Sequence, residues 1–223
     1  MEDFKKEFIE FMVRSNVLTF GDFTTKSGRK TPFFINTGNY NNGGQMEKLG
    51  EFYAKAINKE IGNDFDGLYG PAYKGIPLCI TTSVALNRVF EKNVNFTFNR
   101  KEAKTHGEGG NLIGHKLNDK EKIVIVEDVI TAGTAIRESL PIIEAAADVD
   151  IRAIVVSVDR MEKGTGDLSA IAQVEADFGI HTFAIVTIEE VVEYLHNREI
   201  DGEIVVDDSM KEMIEAYRTE YGA

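Results

Sequence analysis

Two adjacent acids and a turn rich in hydroxyl and small residues form the segment of this chain with the clearest chemistry. Glu127 and Asp128 end an apolar run, and Thr131 and Thr134 lie in the turn that follows. Backbone N–H groups at a strand-to-helix turn, together with the positive end of the helix dipole, favour a phosphate group. The carboxylates are too close to such an anion to bind it, but they can accept hydrogen bonds from sugar hydroxyls. The pattern therefore predicts a site for a ribose 5-phosphate.

The residues around this turn predict a strand that leads into a helix. Residues 123–126 are an uninterrupted β-branched run, typical of a strand buried on both faces of a parallel sheet. Residues 135–147 have helical periodicity. The turn has neither the Gly-Lys-Ser/Thr ending of a Walker A loop nor the Gly-x-Gly-x-x-Gly pattern of a dinucleotide site. The alternative is that the acids merely end a strand and cap a helix, since Asp and Thr are common there.

Two further loops combine cationic side chains with glycine. Residues 70–75 place Tyr73 and Lys74 just before a helix that is expected to begin near Ile76, although an ordinary turn with an exposed lysine is the alternative. Residues 99–110 carry a basic cluster followed by three glycines, and its members are Arg100, Lys101, Lys104 and His106. A charge run is usually a solvated face, but cations on a glycine-rich loop are also typical of a lid that closes over a polyanion.

Strands alternate with helices through most of the chain. The sequence predicts strands at residues 67–70, 94–98, 123–126, 151–158 and 182–186. Such alternation indicates an α/β fold with a central parallel sheet flanked by helices and joined by right-handed crossovers. Ligands of open sheets bind beyond the carboxyl ends of the strands, so we expect the loops described above to converge there.

The first 65 residues have a different pattern. Apolar residues at helical spacing predict a helix that ends near Ser15, and they are Phe4, Phe8, Ile9, Phe11 and Met12. Residues 17–42 are interrupted by glycine, proline and asparagine and predict a small β-containing hood, and residues 49–61 predict a second helix. We therefore expect residues 1–65 to form a helix and hood within the same domain as an α/β core of residues 66–223.

Composition limits the partners. The sequence has 37 acidic residues against 25 lysines and arginines, a formal net charge of −12, which repels nucleic acid and anionic membranes. The single cysteine, Cys79, allows neither an intrachain disulfide nor a cysteine-rich zinc site. The first residues do not resemble a signal peptide, and no run approaches the ~18 apolar residues of a membrane span. We expect a cytoplasmic protein with no nucleic-acid or membrane partner.

Five segments resemble the orotate phosphoribosyltransferases, which belong to the type I phosphoribosyltransferases. Residues 126–139 resemble the family's phosphoribosyl-diphosphate motif, and residues 98–110 resemble the catalytic loop of the orotate-specific members, which purine-specific relatives are not expected to carry. Residues 23–34, 70–77 and 157–160 are the other matches. The resemblance implies the type I fold and, in pyrimidine biosynthesis, transfer of a phosphoribosyl group from 5-phosphoribosyl 1-diphosphate (PRPP) to orotate, giving orotidine 5′-monophosphate and pyrophosphate.

The same resemblance implies roles for individual residues. The diphosphate of PRPP would be contacted by Tyr73, Lys74, Arg100, Lys101, Lys104 and His106. The ribose 5-phosphate would be held by Glu127, Asp128, Val129, Ile130, Thr131, Ala132, Gly133, Thr134 and Ala135. Lys26 would lie where both substrates meet, and orotate would contact Phe34, Ile35, Thr131 and Arg160. The candidates for catalysis are Lys74, Arg100, Lys104, His106 and Asp128.

Further expectations follow from the resemblance. Mg²⁺ would travel with the diphosphate, without direct protein ligands, and a homodimer would share its active sites through the lid. Ile35 stands where many relatives have an aromatic residue, and Glu127 where many have aspartate. Two alternatives remain open: a transferase for another base, and a regulator of RNA or DNA that binds PRPP without catalysis. Three histidines match no motif and are expected to be structural or on the surface, namely His115, His181 and His196.

Overall fold

The structure is a computed structural model that describes residues 1–25, 28–101, 111–164 and 166–223. Its helices are α1 (Asp3–Arg14), α2 (Gly43–Ile61), α3 (Gly75–Phe90), α4 (Thr134–Glu144), α5 (Ala170–Phe178), α6 (Ile188–Leu195) and α7 (Asp208–Tyr221). Its strands are β1 (Leu18–Thr24), β2 (Lys30–Ile35), β3 (Gly67–Gly70), β4 (Asn95–Asn99), β5 (Leu112–Gly114), β6 (Lys122–Val126), β7 (Asp150–Asp159), β8 (Thr182–Thr187), β9 (Glu199–Ile200) and β10 (Glu203–Ile204).

A central sheet carries the functional loops. Within the described residues it has six strands in the order β5-β4-β3-β6-β7-β8. The neighbours from β4 to β8 pair in parallel, whereas β5 pairs antiparallel with β4. The predicted α/β fold with a central parallel sheet is confirmed, and the short antiparallel edge strand is an addition that the sequence did not predict.

The predicted elements agree closely with the observed ones. Each of the five predicted strands occurs with both ends within one residue of its expected bounds. Helix α2 begins at Gly43, six residues before the predicted start, because the Asn42 side chain accepts a hydrogen bond from the Gln45 backbone N–H at 3.0 Å and caps the helix. Helix α4 ends at Glu144, three residues earlier than predicted.

The sheet is buried on both faces. Along β6, Val124 and Val126 pack into one hydrophobic cluster with α2 and α3, while Ile123 and Ile125 pack into another with α4 and α5. Successive side chains of a strand point to opposite faces, so a continuous apolar run is the pattern that burial on both faces requires. Fully burying one such side chain contributes roughly 1.5–3 kcal/mol, and this rigid layer fixes the positions at which the strands end.

The hood consists of the antiparallel hairpin of β1 and β2, in which Leu18 pairs with Ile35. Phe33 of β2 packs edge-on against Tyr217 of α7, with ring centroids 5.8 Å apart at 86°. Phe33 also belongs to the same hydrophobic cluster as Phe52 and the sheet residue Val124. The β-containing hood thus occurs as expected, while the division of the chain between residues 65 and 66 stays a prediction.

The residues outside the predicted motifs have ordinary structural surroundings. Cys79 is buried on α3, and burial raises the pKa of its thiol to about 12. His115, His181 and His196 lie at or near the surface, where each ring contacts a carboxylate. Among the helices that the structure describes, none is both long enough and apolar enough to cross a bilayer.

Candidate active site

The loops after β3 and β6 meet the carboxyl end of β7 at one edge of the sheet. In the parallel pair β3 and β6, Tyr69 lies opposite Ile125, so both strands deliver their following residues to the same place. Lys74, which follows β3, approaches Asp128, which follows β6, with Nζ 2.8 Å from Oδ2. The Ser157 backbone N–H and hydroxyl on β7 both donate to the Asp128 carbonyl oxygen, at 2.9 and 2.6 Å. The loops after β3 and β6 therefore converge as the sequence predicts, whereas residues 102–110 of the third loop lie outside the described residues.

Asp128 is the centre of a compact hydrogen-bond cluster. Its Oδ2 accepts from Lys74 Nζ at 2.8 Å and from the Thr37 hydroxyl at 2.7 Å, while Lys74 also donates to Thr37 Oγ1 at 2.8 Å. Its Oδ1 accepts from the Val129 backbone N–H at 2.8 Å. Burial opposes ionisation, but the hydrogen bonds from Lys74 and Thr37 outweigh it, so the pKa of Asp128 lies below its ordinary value. Asp128 is a carboxylate at neutral pH.

Glu127 has the opposite electrostatic setting. Its side chain is buried, and burial, reinforced by the neighbouring Asp128 charge, raises its pKa to about 8. Its Oε1 accepts from the Asp128 backbone N–H at 2.9 Å, and its carbonyl oxygen accepts from the Tyr53 hydroxyl at 2.7 Å. The pKa values of the two adjacent acids are therefore displaced in opposite directions, so Glu127 keeps its proton to higher pH than Asp128, and a protonated Glu127 can donate a hydrogen bond to a sugar diol that also meets the Asp128 acceptor.

The turn after the two acids is open to an incoming anion. A cavity of about 300 Å³ lies between residues 72–74 and residues 127–136. Thr131, Ala132 and Thr134 are exposed. Gly133 has a φ of +68°, and a Cβ there would lie 2.8 Å from a Val174 methyl group, so this position requires glycine. Helix α4 begins at Thr134 without a side-chain cap, which leaves its first N–H groups available to a phosphate.

The loop after β3 is tightly folded. A Cβ on Gly70 would lie 2.2 Å from the Gly75 carbonyl oxygen, so two backbone segments touch where the loop closes. The Ala72 N–H donates to Asn99 Oδ1 at 2.8 Å, which ties the loop to the end of β4. Tyr73 is 67 % exposed on its tip. This geometry presents Tyr73 and Lys74 on the same side as the open turn.

Two cations at the start of the expected lid lie near this loop. Lys101 Nζ is 5.5 Å from the centroid of the Tyr73 ring. Arg100 Nη1 is buried and has no hydrogen-bond partner among the described residues. A buried guanidinium N–H without an acceptor is costly, and a bound phosphate oxygen would relieve that cost.

Arg160 lies at the boundary between sheet and hood. Its guanidinium carbon is 4.6 Å from the centroid of the Phe33 ring, and its Nε and Nη2 donate to Glu162 Oε1 at 3.0 and 2.6 Å. Arg160 therefore forms an ion pair with Glu162. Phe34 is 41 % exposed and packs against Phe23, with ring centroids 5.7 Å apart.

The predicted site residues differ in how far the structure describes them. Lys26, Lys104 and His106 lie outside the described residues. Sequence reasoning missed Thr37 and Tyr53, which support the acids from distant parts of the chain, and no local pattern signals either role. Within the described ranges there is no cluster of three or more His, Cys, Asp or Glu side chains able to hold a metal ion.

Known proteins share this architecture. A family model described as "Phosphoribosyl transferase domain" matches residues 36–178. Orotate phosphoribosyltransferases of Clostridium acetobutylicum and Clostridium beijerinckii are each 56 % identical, cover 100 % of this chain, and are themselves covered to 99 % and 100 %. The crystal structure of orotate phosphoribosyltransferase from Francisella tularensis is 36 % identical, with a TM-score of 0.84, over 97 % of this chain and 100 % of that one.

Proposed function

The chain belongs to the orotate phosphoribosyltransferase family, and from this premise we propose how its residues carry out the family's reaction. The enzyme is a pentosyltransferase that moves the phosphoribosyl group of PRPP to orotate, a step in pyrimidine biosynthesis. The main support for the proposed site is the contact of Lys74 with Asp128. This contact joins the loop that is expected to bind the diphosphate to the loop that is expected to bind the sugar.

Each part of PRPP has a matching surface. The turn of residues 129–135 would bind the 5-phosphate with backbone N–H groups and with the hydroxyls of Thr131 and Thr134. Glu127 and Asp128 would bind the ribose hydroxyls. The diphosphate would contact Tyr73 and Lys74, together with the lid residues Arg100, Lys101, Lys104 and His106. Orotate would lie between the hood and β7, near Lys26, Phe34, Ile35, Thr131 and Arg160.

Mg²⁺ fits this arrangement as a companion of the diphosphate. Mg²⁺ prefers oxygen ligands and keeps several waters, so diphosphate and ribose oxygens can supply its coordination without a protein cage. The carboxyl oxygens of Glu127 and Asp128 would accept hydrogen bonds from the metal's water ligands. When bound, the ion would neutralise negative charge on the diphosphate.

Catalysis depends on charge at the leaving group. As the bond to the anomeric carbon breaks, positive charge develops on the ribose and negative charge on the departing pyrophosphate. The Lys74 ammonium lies on the diphosphate side, and the lid would add Arg100, Lys104 and His106. The Asp128 carboxylate lies on the ribose side, where it favours the developing positive charge. Preorganised groups of this kind can each be worth roughly 3–4 kcal/mol in a water-excluded site.

A base panel tests the proposal. The protein is incubated with PRPP, Mg²⁺ and one base at a time, and pyrophosphate release is measured. We expect release with orotate and far less with uracil, adenine or guanine. Release with another base alone would identify a transferase for that base, whereas no release with any base would favour a regulator that binds PRPP without catalysis.

We infer a homodimer in which the lid of one subunit reaches the site of its neighbour, in a cytoplasmic protein without nucleic-acid or membrane partners. The net charge of −12 supports the last point, because nucleic-acid binders generally present a broad basic face. Residues 1–65 would form the helix and hood that cover the base, and residues 66–223 the core that holds PRPP.

A further inference from the structure

A charge cluster outside the PRPP loops lies next to Arg160. Glu162 Oε1 accepts from Arg160 Nε and Nη2 and from the Tyr217 hydroxyl, the last at 2.8 Å. Glu162 Oε2 accepts from Arg29 Nη2 at 2.5 Å. The Glu162 and Arg160 side chains are only 12 % and 17 % exposed. One carboxylate therefore joins the sheet, the hood and α7, which supply Arg160, Arg29 and Tyr217 respectively.

The backbone holds Glu162 in this position from both sides. Met161 has a φ of +51°, and its N–H donates to Asp159 Oδ1 at 2.8 Å, so the chain turns sharply between Arg160 and Glu162. The Lys163 N–H donates to the Tyr221 carbonyl oxygen at 2.9 Å, within a short antiparallel bridge to the end of α7. The turn lets the Glu162 carboxylate reach back to a side chain only two residues earlier.

Two guanidinium groups contact a single carboxylate in this cluster. The side chain of the neighbouring acid, Asp159, accepts from the Met161 N–H instead. Glu162 uses only the Nε and Nη2 edge of Arg160, and Nη1 has no hydrogen-bond partner among the residues the structure describes. A guanidinium offers five N–H donors in a fixed plane, so its second edge can still take a carboxylate in paired hydrogen bonds.

Arg160 is also within reach of the ribose site. Ser157, which donates to the Asp128 carbonyl oxygen, lies three residues before Arg160 on the same extended segment, a span of roughly 10 Å. Phe33 of the hood lies against the Arg160 guanidinium. A planar base that extends from the ribose toward this guanidinium would bring its carboxylate to Arg160.

We propose that Glu162 is a positioning residue, which pairs with both Arg29 and Arg160 and fixes the Arg160 guanidinium so that its free edge receives the carboxylate of the base. This inference rests on the proposed function, since it assumes that Arg160 receives that carboxylate. Glu162 itself does not touch the substrate. Its role is to hold Arg160 in the orientation that binds the carboxylate of the base.

Glu162→Gln tests the inference, because glutamine keeps the size but loses the charge and turns an N–H₂ group toward one arginine. We expect the KM for orotate to rise about tenfold, with the KM for PRPP changed less than twofold. Glu10→Gln is the matched control: Glu10 also accepts from an arginine, Arg14, and from a tyrosine hydroxyl, Tyr194, far from the site. It should leave both KM values unchanged.

A double-mutant cycle separates positioning from general destabilisation. In an Arg160→Ala background, Glu162→Gln should change the KM for orotate less than twofold, because the group that it positions is gone. A full tenfold effect there, or an unchanged KM in the single variant, would overturn the inference.

If Glu162→Gln has no cooperative melting transition, Glu162→Asp, which keeps the charge on a shorter stem, replaces it in both backgrounds. A wild-type protein inactive with orotate would overturn the proposed function together with this inference, whereas an active wild type with a silent variant would overturn this inference alone.

Discussion

At the scale of single residues, the two adjacent acids show how the surroundings of a carboxyl group determine its pKa. Glu127 and Asp128 are both nearly buried, at 6 % and 8 % exposed, yet only Asp128 faces a cation. The Lys74 ammonium and the Thr37 hydroxyl keep Asp128 ionised. Burial and the negative charge of Asp128 raise the pKa of Glu127. Neighbouring acids with opposite protonation states can both accept and donate hydrogen bonds to a sugar diol.

The raised pKa of Glu127 predicts a pH dependence of stability. Between its ordinary value of 4.5 and about 8, the folded protein keeps a proton at Glu127 that the unfolded chain releases. The free energy of unfolding should therefore fall as pH rises through this window, on the order of 1 kcal/mol per pH unit, and level off above it. Glu127→Gln should lack this component, which urea unfolding at pH 5, 6.5 and 8 measures. Parallel curves for the two proteins would contradict the protonated state.

Arg160 predicts strong discrimination between bases. Uracil lacks the carboxylate of orotate and would leave the free edge of the guanidinium without an acceptor. Loss of a polar partner in a closed site can discriminate by ~10⁴-fold, so we expect the kcat/KM for orotate to exceed that for uracil by about this factor. Comparable values for the two bases would remove Arg160 from the recognition of the substrate.

At the scale of elements, the tight loop after β3 depends on a glycine. A Cβ on Gly70 would overlap the Gly75 carbonyl oxygen, which is backbone and cannot rotate away. Gly70→Ala should therefore displace Tyr73 and Lys74 and raise the KM for PRPP more than tenfold, with a loss of stability of about 1–3 kcal/mol. Steady-state kinetics and thermal melting measure the two effects.

Gly43→Ala provides the control for the loop variant. Gly43 begins α2, and a Cβ there meets no atom within 4 Å. Alanine is the better helix former, so this variant should keep the KM for PRPP and should not lose stability. Equal effects of the two substitutions would show that the closure of the loop does not matter for binding.

The elements also explain how much the sequence could predict. Each core strand is a short apolar run bounded by turn residues. This local pattern was sufficient to predict the strands β3, β4, β6, β7 and β8. Strand β5 has only three residues, too few to show a period, and the glycines at the start of α2 conceal a helix that its Asn42 cap begins. A local sequence pattern predicts an element when the element's own residues determine its structure. The pattern fails when tertiary contacts determine that structure.

The residues of the site were likewise predictable only where their sequence positions are contiguous. The acids and the turn that follows them are contiguous, so their spacing alone predicted a sugar-phosphate site. Thr37 reaches Asp128 across 91 positions of the chain, and Arg29 reaches Glu162 across 133. Contacts of that separation depend on how the hood folds onto the sheet, and the sequence carries no periodic signal for them.

At the scale of the whole molecule, the proposed dimer predicts complementation between two inactive proteins. Lys104→Ala should lower kcat about a hundredfold or more by removing a cation from the lid, and Asp128→Asn should disable the ribose site. In mixed dimers, one site would combine an intact lid with an intact ribose site. Mixing should therefore restore activity, measured as pyrophosphate release after subunit exchange. Verified exchange without recovery would contradict the shared arrangement.

The hydrogen bonds of Asp128 have a thermodynamic consequence for the sugar. Because Oδ2 already accepts from Thr37 and Lys74, a ribose hydroxyl that binds this oxygen in place of Lys74 exchanges one hydrogen bond for another. The heat released at this carboxylate is then small, and the displaced ammonium becomes free to turn toward the diphosphate. A sugar phosphate without a diphosphate would displace the Lys74 ammonium without supplying a new hydrogen-bond partner for it. The protein would therefore distinguish PRPP from a sugar phosphate that lacks the diphosphate.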